Sequence, residues 1–284
     1  MTETGINYAA RISDFVNDVF EDALFVSRDN NIMTQLVTVY NDRAGMATRK
    51  NQEYGTATMR SISDTDDLTS QVFEPTALNE LTPGEIGAQF FITDYRLESD
   101  PFAMRQNAAM ELGMAAAQKM EVDLLSVFPN LTGGTIGGAG TALTFQKLFA
   151  AETILRANMA PGPYVAVLHP NAWFNIGTAV LPGGGIVQTN APQFQDDVMR
   201  NFFVGRVGNI DVYTTANLTA GTESIGAMFS RSAIAFDVRR APRLEPERDA
   251  SRRGWELNLS AVYGYGKWRP RFGVQLIGDA STPS

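Results

Sequence analysis

Residues 100–129, DPFAMRQNAAMELGMAAAQKMEVDLLSVFP, decide how the rest of the chain is arranged. Ser99 or Asp100 stands where an N-cap accepts the first free backbone N–H groups. Pro101 takes the first helical position, where its missing N–H costs nothing, and Pro129 stops the run after Phe128. About 28 residues rising 1.5 Å each give a rod of roughly 42 Å, far longer than the usual three turns. Its middle holds Ala108, Ala109, Gly113, Ala115, Ala116 and Ala117, small enough for other backbone to approach closely. The expectation is a structural spine.

Upstream, residues 36–98 break into short β-prone pieces: LVTVY at 36–40, TATMRSI at 56–62, VF at 72–73 and QFFITDYRL at 89–97. Between them lie NDRAGMATRKNQEYG and SDTDDL, which carry little to anchor them in a core. A compact domain rarely leaves about 15 residues of loop uncovered, so the region is expected to be a protruding hairpin or extended arm that needs a partner. Farther upstream, Ile12, Phe15, Val16, Val19, Phe20, Ala23 and Leu24 repeat at helical spacing and predict an amphipathic helix over 8–27.

Downstream, GGTIGGAG at 133–140 and LPGGG at 181–185 are expected to be flexible loops, since neither continues into GK[ST]. Helices are predicted over 144–158, from Pro170 through PNAWFNIGTA, and around 193–203. Strands are predicted at YVAVLH (164–169), IDVYTT (210–215) and in AMFSRSAIAFDVR. This alternation over 141–238 argues for a compact α/β lobe. Trp255, Leu257, Leu259, Ala261 and Tyr263 then recur with a period of two, a strand with one buried face, and GVQLI at 273–277 is expected to pair beside it.

Composition narrows the chemistry. Of 284 residues 44% are hydrophobic and 19% charged, an ordinary globular balance, and no apolar run reaches the ~20 residues of a membrane span. Cysteine is absent and His169 is the single histidine, which removes thiolate nucleophiles, Cys-ligated zinc and two-histidine mechanisms. His169, beside Pro170, reads as a packed residue rather than a general base. Net charge is −8, yet arginine outnumbers lysine 19 to 4. The planar guanidinium suits protein–protein ion pairs, whereas nonspecific DNA binding calls for a basic face; codon bias in a GC-rich genome gives the same skew.

Five pieces now stand in order: ALNELTPGEIG with QFFITDYRLES, the 100–128 helix, VLHPNAWFNIG, VGRVGNIDVYTTANL, and the closing segment from AIAFDVRRAPRLEPERD to GVQLIGDA. Together they resemble the HK97-fold major capsid proteins of tailed bacteriophages, over nearly the whole chain. The resemblance implies an α+β HK97-like capsid fold. Its parts would be an N-terminal arm (1–38), an extended β-hairpin loop (39–98), a peripheral domain with the spine helix (99–131 and 237–284) and an inserted axial α/β domain (132–236). It implies a structural protein, not an enzyme, without a cofactor. Copies would assemble as pentamers and hexamers in the host bacterial cytoplasm, into the icosahedral shell of a virion around double-stranded DNA held without sequence-specific contacts. A separate scaffolding protein and a portal protein are the expected partners; the initial Met favours separate scaffolding over a cleaved leading segment.

On that reading Arg49, Lys50 and Arg60, with Asp64, Asp66 and Asp67, are candidate intersubunit contacts of the loop. Arg239, Arg240, Arg243, Arg248, Arg252 and Arg253, with Glu247 and Asp249, are the candidates of the tail. The plainer alternative for the tail is a solvated hairpin whose pairs are worth about 0–1 kcal/mol each. Some shells of this type carry a Lys–Asn isopeptide cross-link; Lys50 is the one lysine of the loop, and no cross-link is expected. The rival functions are an encapsulin-like compartment around a cargo enzyme and a soluble cytoplasmic α/β enzyme.

Overall fold

The computed structural model describes residues 32–178, apart from 43, 56, 65 and 100, then 203–207 and 210–283. The expected helix at 8–27, the LPGGG loop and all but the last residue of the helix at 193–203 lie outside the described residues. In chain order the elements are α1 (Met33–Leu36), β1 (Thr38–Tyr40), β2 (Arg49–Tyr54), β3 (Pro75–Leu81), β4 (Gly84–Thr93), α2 (Asp94–Ser99) and α3 (Pro101–Leu125). They continue with β5 (Thr135–Gly137), α4 (Phe145–Ala157), β6 (Tyr164–Leu168), α5 (Pro170–Thr178), β7 (Phe203–Val207) and β8 (Ile210–Thr214). The last are β9 (Gly221–Ser230), β10 (Ile234–Asp249), β11 (Gly254–Lys267) and β12 (Gly273–Ala280).

Helix α3 begins at Pro101 as the proline rule requires, and links two cores. Leu112 and Ala116 pack with Ile92, Leu244, Leu257 and Leu259 against a four-stranded sheet of order β1-β10-β11-β4. About one turn on from Ala116, Met120 and then Leu124 and Leu125 enter the main core with Phe128, Leu148, Leu168 and Phe229. The helix stops at Leu125, three residues short of the expected end. The chain tightens there through Val127 N–H donating to Leu124 and Asn130 N–H to Val127, a 3-10 turn over Phe128–Asn130 that drops Phe128 into the core and houses Pro129.

The second sheet runs β5-β12-β9-β6-β8-β7, with β6 parallel to β8 and antiparallel to β9. All five β6 residues are buried, as a central strand covered on both faces should be. Local signals placed its helices well: Thr144 caps α4 through its hydroxyl, and α5 enters at Pro170. In β11 Leu257, Leu259, Ala261 and Tyr263 are buried and Asn258 and Ser260 are at intermediate exposure, as a period of two predicts, but Trp255 is only half-buried and Val262 is buried as well.

Four expectations are corrected. GVQLI does not pair beside 255–263; β12 joins the other sheet, antiparallel to β9 and parallel to β5. GGTIGGAG is not a free loop: β5 lies inside it, and its glycines are needed for contact. A Cβ on Gly133 would sit 2.5 Å from the carbonyl oxygens of Arg271 and Gly273, and Gly137, at φ 91°, would drive one into the Ile277 carbonyl. TATMRSI and VF form no strands; the polar RKNQEY of β2 does, because it finds β3 to pair with. Likewise 89–97 is strand only to Thr93, then helix, and only 38–40 of LVTVY is strand, Leu36 closing α1.

Candidate assembly surfaces

The antiparallel pair β2–β3, in register from Arg49↔Leu81 to Tyr54↔Pro75, is the root of an arm. Alternation puts Arg49, Asn51 and Glu53 on one face, and each is tied to the body. Arg49 Nε donates to Asp237 Oδ2 at 3.0 Å and its Nη2 to Asp42. Asn51 donates to the Trp268 carbonyl (3.0 Å), joined there by Asn79 from β3 (3.2 Å), and Glu53 pairs with Arg271 at 3.5 Å. Asp237 is fully buried and accepts from Arg239 Nη2 as well, at 2.7 Å; Arg239 also donates to Ala47 O. Burial works against the Arg49 charge, but the hydrogen bonds to Asp237 and Asp42 outweigh it and hold its pKa above the usual value. Arg49 and Arg239 are therefore enclosed within one protomer. Lys50, on the opposite face, reaches Glu80 at 3.0 Å across the strands.

Beyond Tyr54 and before Pro75 the chain continues outward without a backbone ladder. Its two limbs are joined by side chains: Thr58 N–H donates to Gln71 Oε1 (3.0 Å), Gln71 Nε2 returns a bond to Thr58 O (2.7 Å), and Arg60 donates to the Asp67 carbonyl. A turn closes the tip, with Asp66 N–H on Ser63 O (3.0 Å) and Ser63 N–H on the Asp66 carboxylate (3.2 Å). The side chains it displays are apolar as well as acidic. Met59 is 95% exposed, Val72 81% and Phe73 76%, with Ile62 and Leu68 also open, and Phe73 stacks on Tyr54 at 4.7 Å. A monomer gains nothing from such a patch; an assembling subunit does.

The β10–β11 ribbon carries the remaining candidates, Arg248, Asp249, Arg252 and Arg253 at its far end and Arg240 and Arg243 along its length. Arg248 grips Asp94 with two bonds, 2.6 and 2.8 Å, and lies 5.3 Å from the Trp255 ring centre. Arg252 lies over Phe91 at 4.5 Å and pairs with Glu256 at 3.3 Å. Arg240 meets Glu85 at 2.5 Å, and Arg243 meets Glu245. Asp249 accepts from the Ser251 hydroxyl and N–H and the Arg252 N–H, closing the turn in which Arg253 adopts φ 51°. The hydrogen bond from Arg248 holds Asp94 below the usual carboxylate range, and the Ser251 hydroxyl does the same to Asp249. The structure brings Arg248, Asp249 and Arg252 together at one end, whereas Arg239 lies at the other beside Arg49. Asp94 was missed altogether, and Asp237, legible among the acids that alternate with the tail's arginines, gave no sign of its partner Arg49, since no sequence signal couples residues 154 or 188 positions apart.

Other features are quieter. A cavity of about 370 Å³ between α3 and the four-stranded sheet is lined by apolar side chains and Lys119, whose amine is held by Asp123 at 2.7 Å. His169 is buried, accepts at Nδ1 from Asn171 N–H, and is pushed below its ordinary pKa by desolvation. Among the described residues no His/Asp/Glu group is placed to hold a metal, and no helix is long and apolar enough to cross a membrane.

Comparison with known proteins gives one family match: the model described as "Phage capsid protein" fits residues 79–276. No curated protein matches the sequence. Among solved structures, a cyanophage P-SCSP1u capsid superposes with TM-score 0.64 at 16% identity, covering 89% of each chain. A Mycobacterium phage Che8 structure gives 0.66 at 15%, over 87% of this chain and 90% of that one. A virus-like particle from Pyrococcus furiosus gives 0.62 at 10%, over 92% and 99%.

Proposed function

The chain belongs to the phage capsid protein family and is a structural capsid protein, and from that premise we propose that it is the major subunit of an icosahedral shell that encloses the double-stranded DNA of a tailed phage. The observation that carries this reading is the segment between Tyr54 and Pro75, which leaves Met59, Val72 and Phe73 largely exposed, a surface suited to being covered by another molecule. Repetition of the same chain supplies such a molecule at every position, and closed symmetry multiplies each weak contact by the copy number.

The proposed division of labour follows the strands. An N-terminal arm (1–38) and the extended loop (39–98) reach neighbours. The long helix with most of 237–284 forms a peripheral domain, and 132–236 forms an axial domain around pentamer and hexamer centres. Because β12 pairs with β9, we assign 273–280 to the axial sheet and end the peripheral share near Lys267. Scaffolding and portal proteins complete the shell in the host cytoplasm, and the acidic net charge of −8 favours an inner face that lets DNA pack without adhering.

Negative-stain electron microscopy with light scattering on the purified full chain tests the proposal, first alone and then with its phage's scaffolding and portal proteins. Closed shells or capsomer rings are expected. A chain that stays a dispersed monomer even with both proteins present would return the problem to its beginning.

A further inference from the structure

The turn that follows β11 collects charge of the opposite sign to the chain. Lys267, Arg269 and Arg271 stand in the run KWRPR at 267–271, all three exposed, in a chain with 31 acids to 23 lysines and arginines. Backbone bonds fix the turn. Trp268 N–H (2.8 Å) and Arg269 N–H (3.0 Å) both donate to Ala233 O, and Ala233 N–H closes on Ser230 O at 2.8 Å, around the exposed Arg231. Side chains are held as well. The guanidinium carbons of Arg269 and Arg271 lie 5.7 and 6.0 Å from the centre of the same Phe272 ring, and Arg231 Nε donates to the Val37 carbonyl.

Two like charges held against one ring repel each other, and the protomer does little to neutralise them. Glu53 reaches Arg271 at 3.5 Å; among the described residues Arg231, Lys267 and Arg269 form no ion pair. The acids that make the net charge −8 are screened beyond a Debye length of about 10 Å at 0.1 M salt, so a polyanion meets the patch by its local sign. The surface also lacks apolar anchors. No side chain of 230–233 or 267–272 is among the largely exposed hydrophobics of the described residues, and Trp268 packs toward Tyr40 with ring centres 5.6 Å apart. A protein interface is built round an apolar core, whereas a phosphate backbone is met by separate exposed cations.

We infer that Arg231, Lys267, Arg269 and Arg271 form a phosphate-binding patch for the double-stranded DNA that the shell encloses. This rests on the shell reading and adds to it the residues on which the nucleic acid rests. Guanidinium forks match phosphate oxygens, and contacts to the backbone carry no base information, so the patch is indifferent to sequence. About three or four phosphates per copy make a weak contact that salt dissolves. Such points hold the outermost DNA without making an acidic inner face adhesive.

Fluorescence anisotropy of a labelled mixed-sequence duplex, titrated with the unassembled full chain at salt from about 50 to 200 mM, tests this. Wild type should bind with log affinity falling against log salt at a slope of about −3, from roughly 0.9 per phosphate. Lys267→Glu with Arg269→Glu breaks no ion pair of the protomer, so its circular dichroism should match wild type. Its affinity should fall about tenfold or more and its slope by about 2, while Lys267→Arg with Arg269→Lys keeps both. The inference is overturned if the reversed chain binds the duplex as wild type does, or if wild-type binding has no salt slope. It is also overturned if the reversal spares duplex binding and abolishes shells seen by electron microscopy, which assigns the patch to a neighbouring copy. A chain that binds the duplex as expected yet stays a dispersed monomer with scaffolding and portal proteins present keeps the patch and overturns the shell reading, so the two failures are distinct.

Discussion

The root and the tip of the arm use the same residue types for opposite ends. At the root Arg49 and Arg239 flank a fully buried Asp237, so each charge has its opposite within 3.0 Å and water is shut out. At the tip Asp64, Asp66 and Asp67 stand in solvent beside exposed Met59 and Val72. A buried pair is expensive to break because removing one partner strands the other, whereas an exposed pair is screened and worth little inside its own molecule. The root therefore belongs to the fold of one subunit, while the tip adds little to that fold and is what we propose meets a neighbour.

The sharpest way to break this division is to excise 56–73 and close the hairpin with a short turn. Shells should vanish while the protomer's Tm stays within a few degrees, read by microscopy and by differential scanning calorimetry. A wider cut at 45–62 would also remove Arg49 and is expected to destabilise the subunit itself. Next in size is Asp237→Ala, which leaves the buried Arg239 guanidinium without a carboxylate and Arg49 with only the exposed Asp42; urea unfolding should show a loss of about 3–5 kcal/mol. A loss under about 1 kcal/mol would mean that the root is no more a structural element than the tip.

Along the β10–β11 ribbon the effects should shrink. Arg243→Ala, whose partner Glu245 is equally open, should shift protomer stability by about 0.5 kcal/mol or less, with any larger effect appearing only in assembly. The smallest expected signal is a titration. Asp94 is held below its ordinary 3.8 by Arg248, so its contribution to stability is present above that pH and disappears as pH falls through the lowered value. Carboxyl-carbon NMR should place its midpoint below 3.8, moving up toward 3.8 in Arg248→Ala; an unmoved midpoint would remove the pair from the argument.

Some of this was legible before any coordinates. Thr144 before Phe145, Pro170 before a helical run and the alternation from Leu257 to Tyr263 are local signals, and each element formed where its signal lay. NDRAGMATRKNQEYG carries no apolar stripe, and it is tied to the body by polar groups alone, Arg49, Asn51 and Glu53. Its strands were misplaced for a related reason: RKNQEY has no apolar face, and it became β2 only because β3 lay opposite. Nor could sequence spacing show that β12 would cross to β9, or that Gly133 and Gly137 serve that crossing.

The candidate residues divide in the same way. Arg49, Arg239 and Arg248 were visible as cations in suspicious places, and nothing in the chain's order said which would be sealed inside and which left outside. What the sequence by itself determined is everything carried by repeats of 3.6 and 2 and by residues that start or stop them: the long helix, the α/β alternation and the alternating strand. What only the tertiary structure decided is which distant segments meet: Arg49 with Asp237, Arg248 with Asp94, β12 with β9. Those pairings depend on loop closure and on the surfaces available once the elements have packed, which no local pattern encodes.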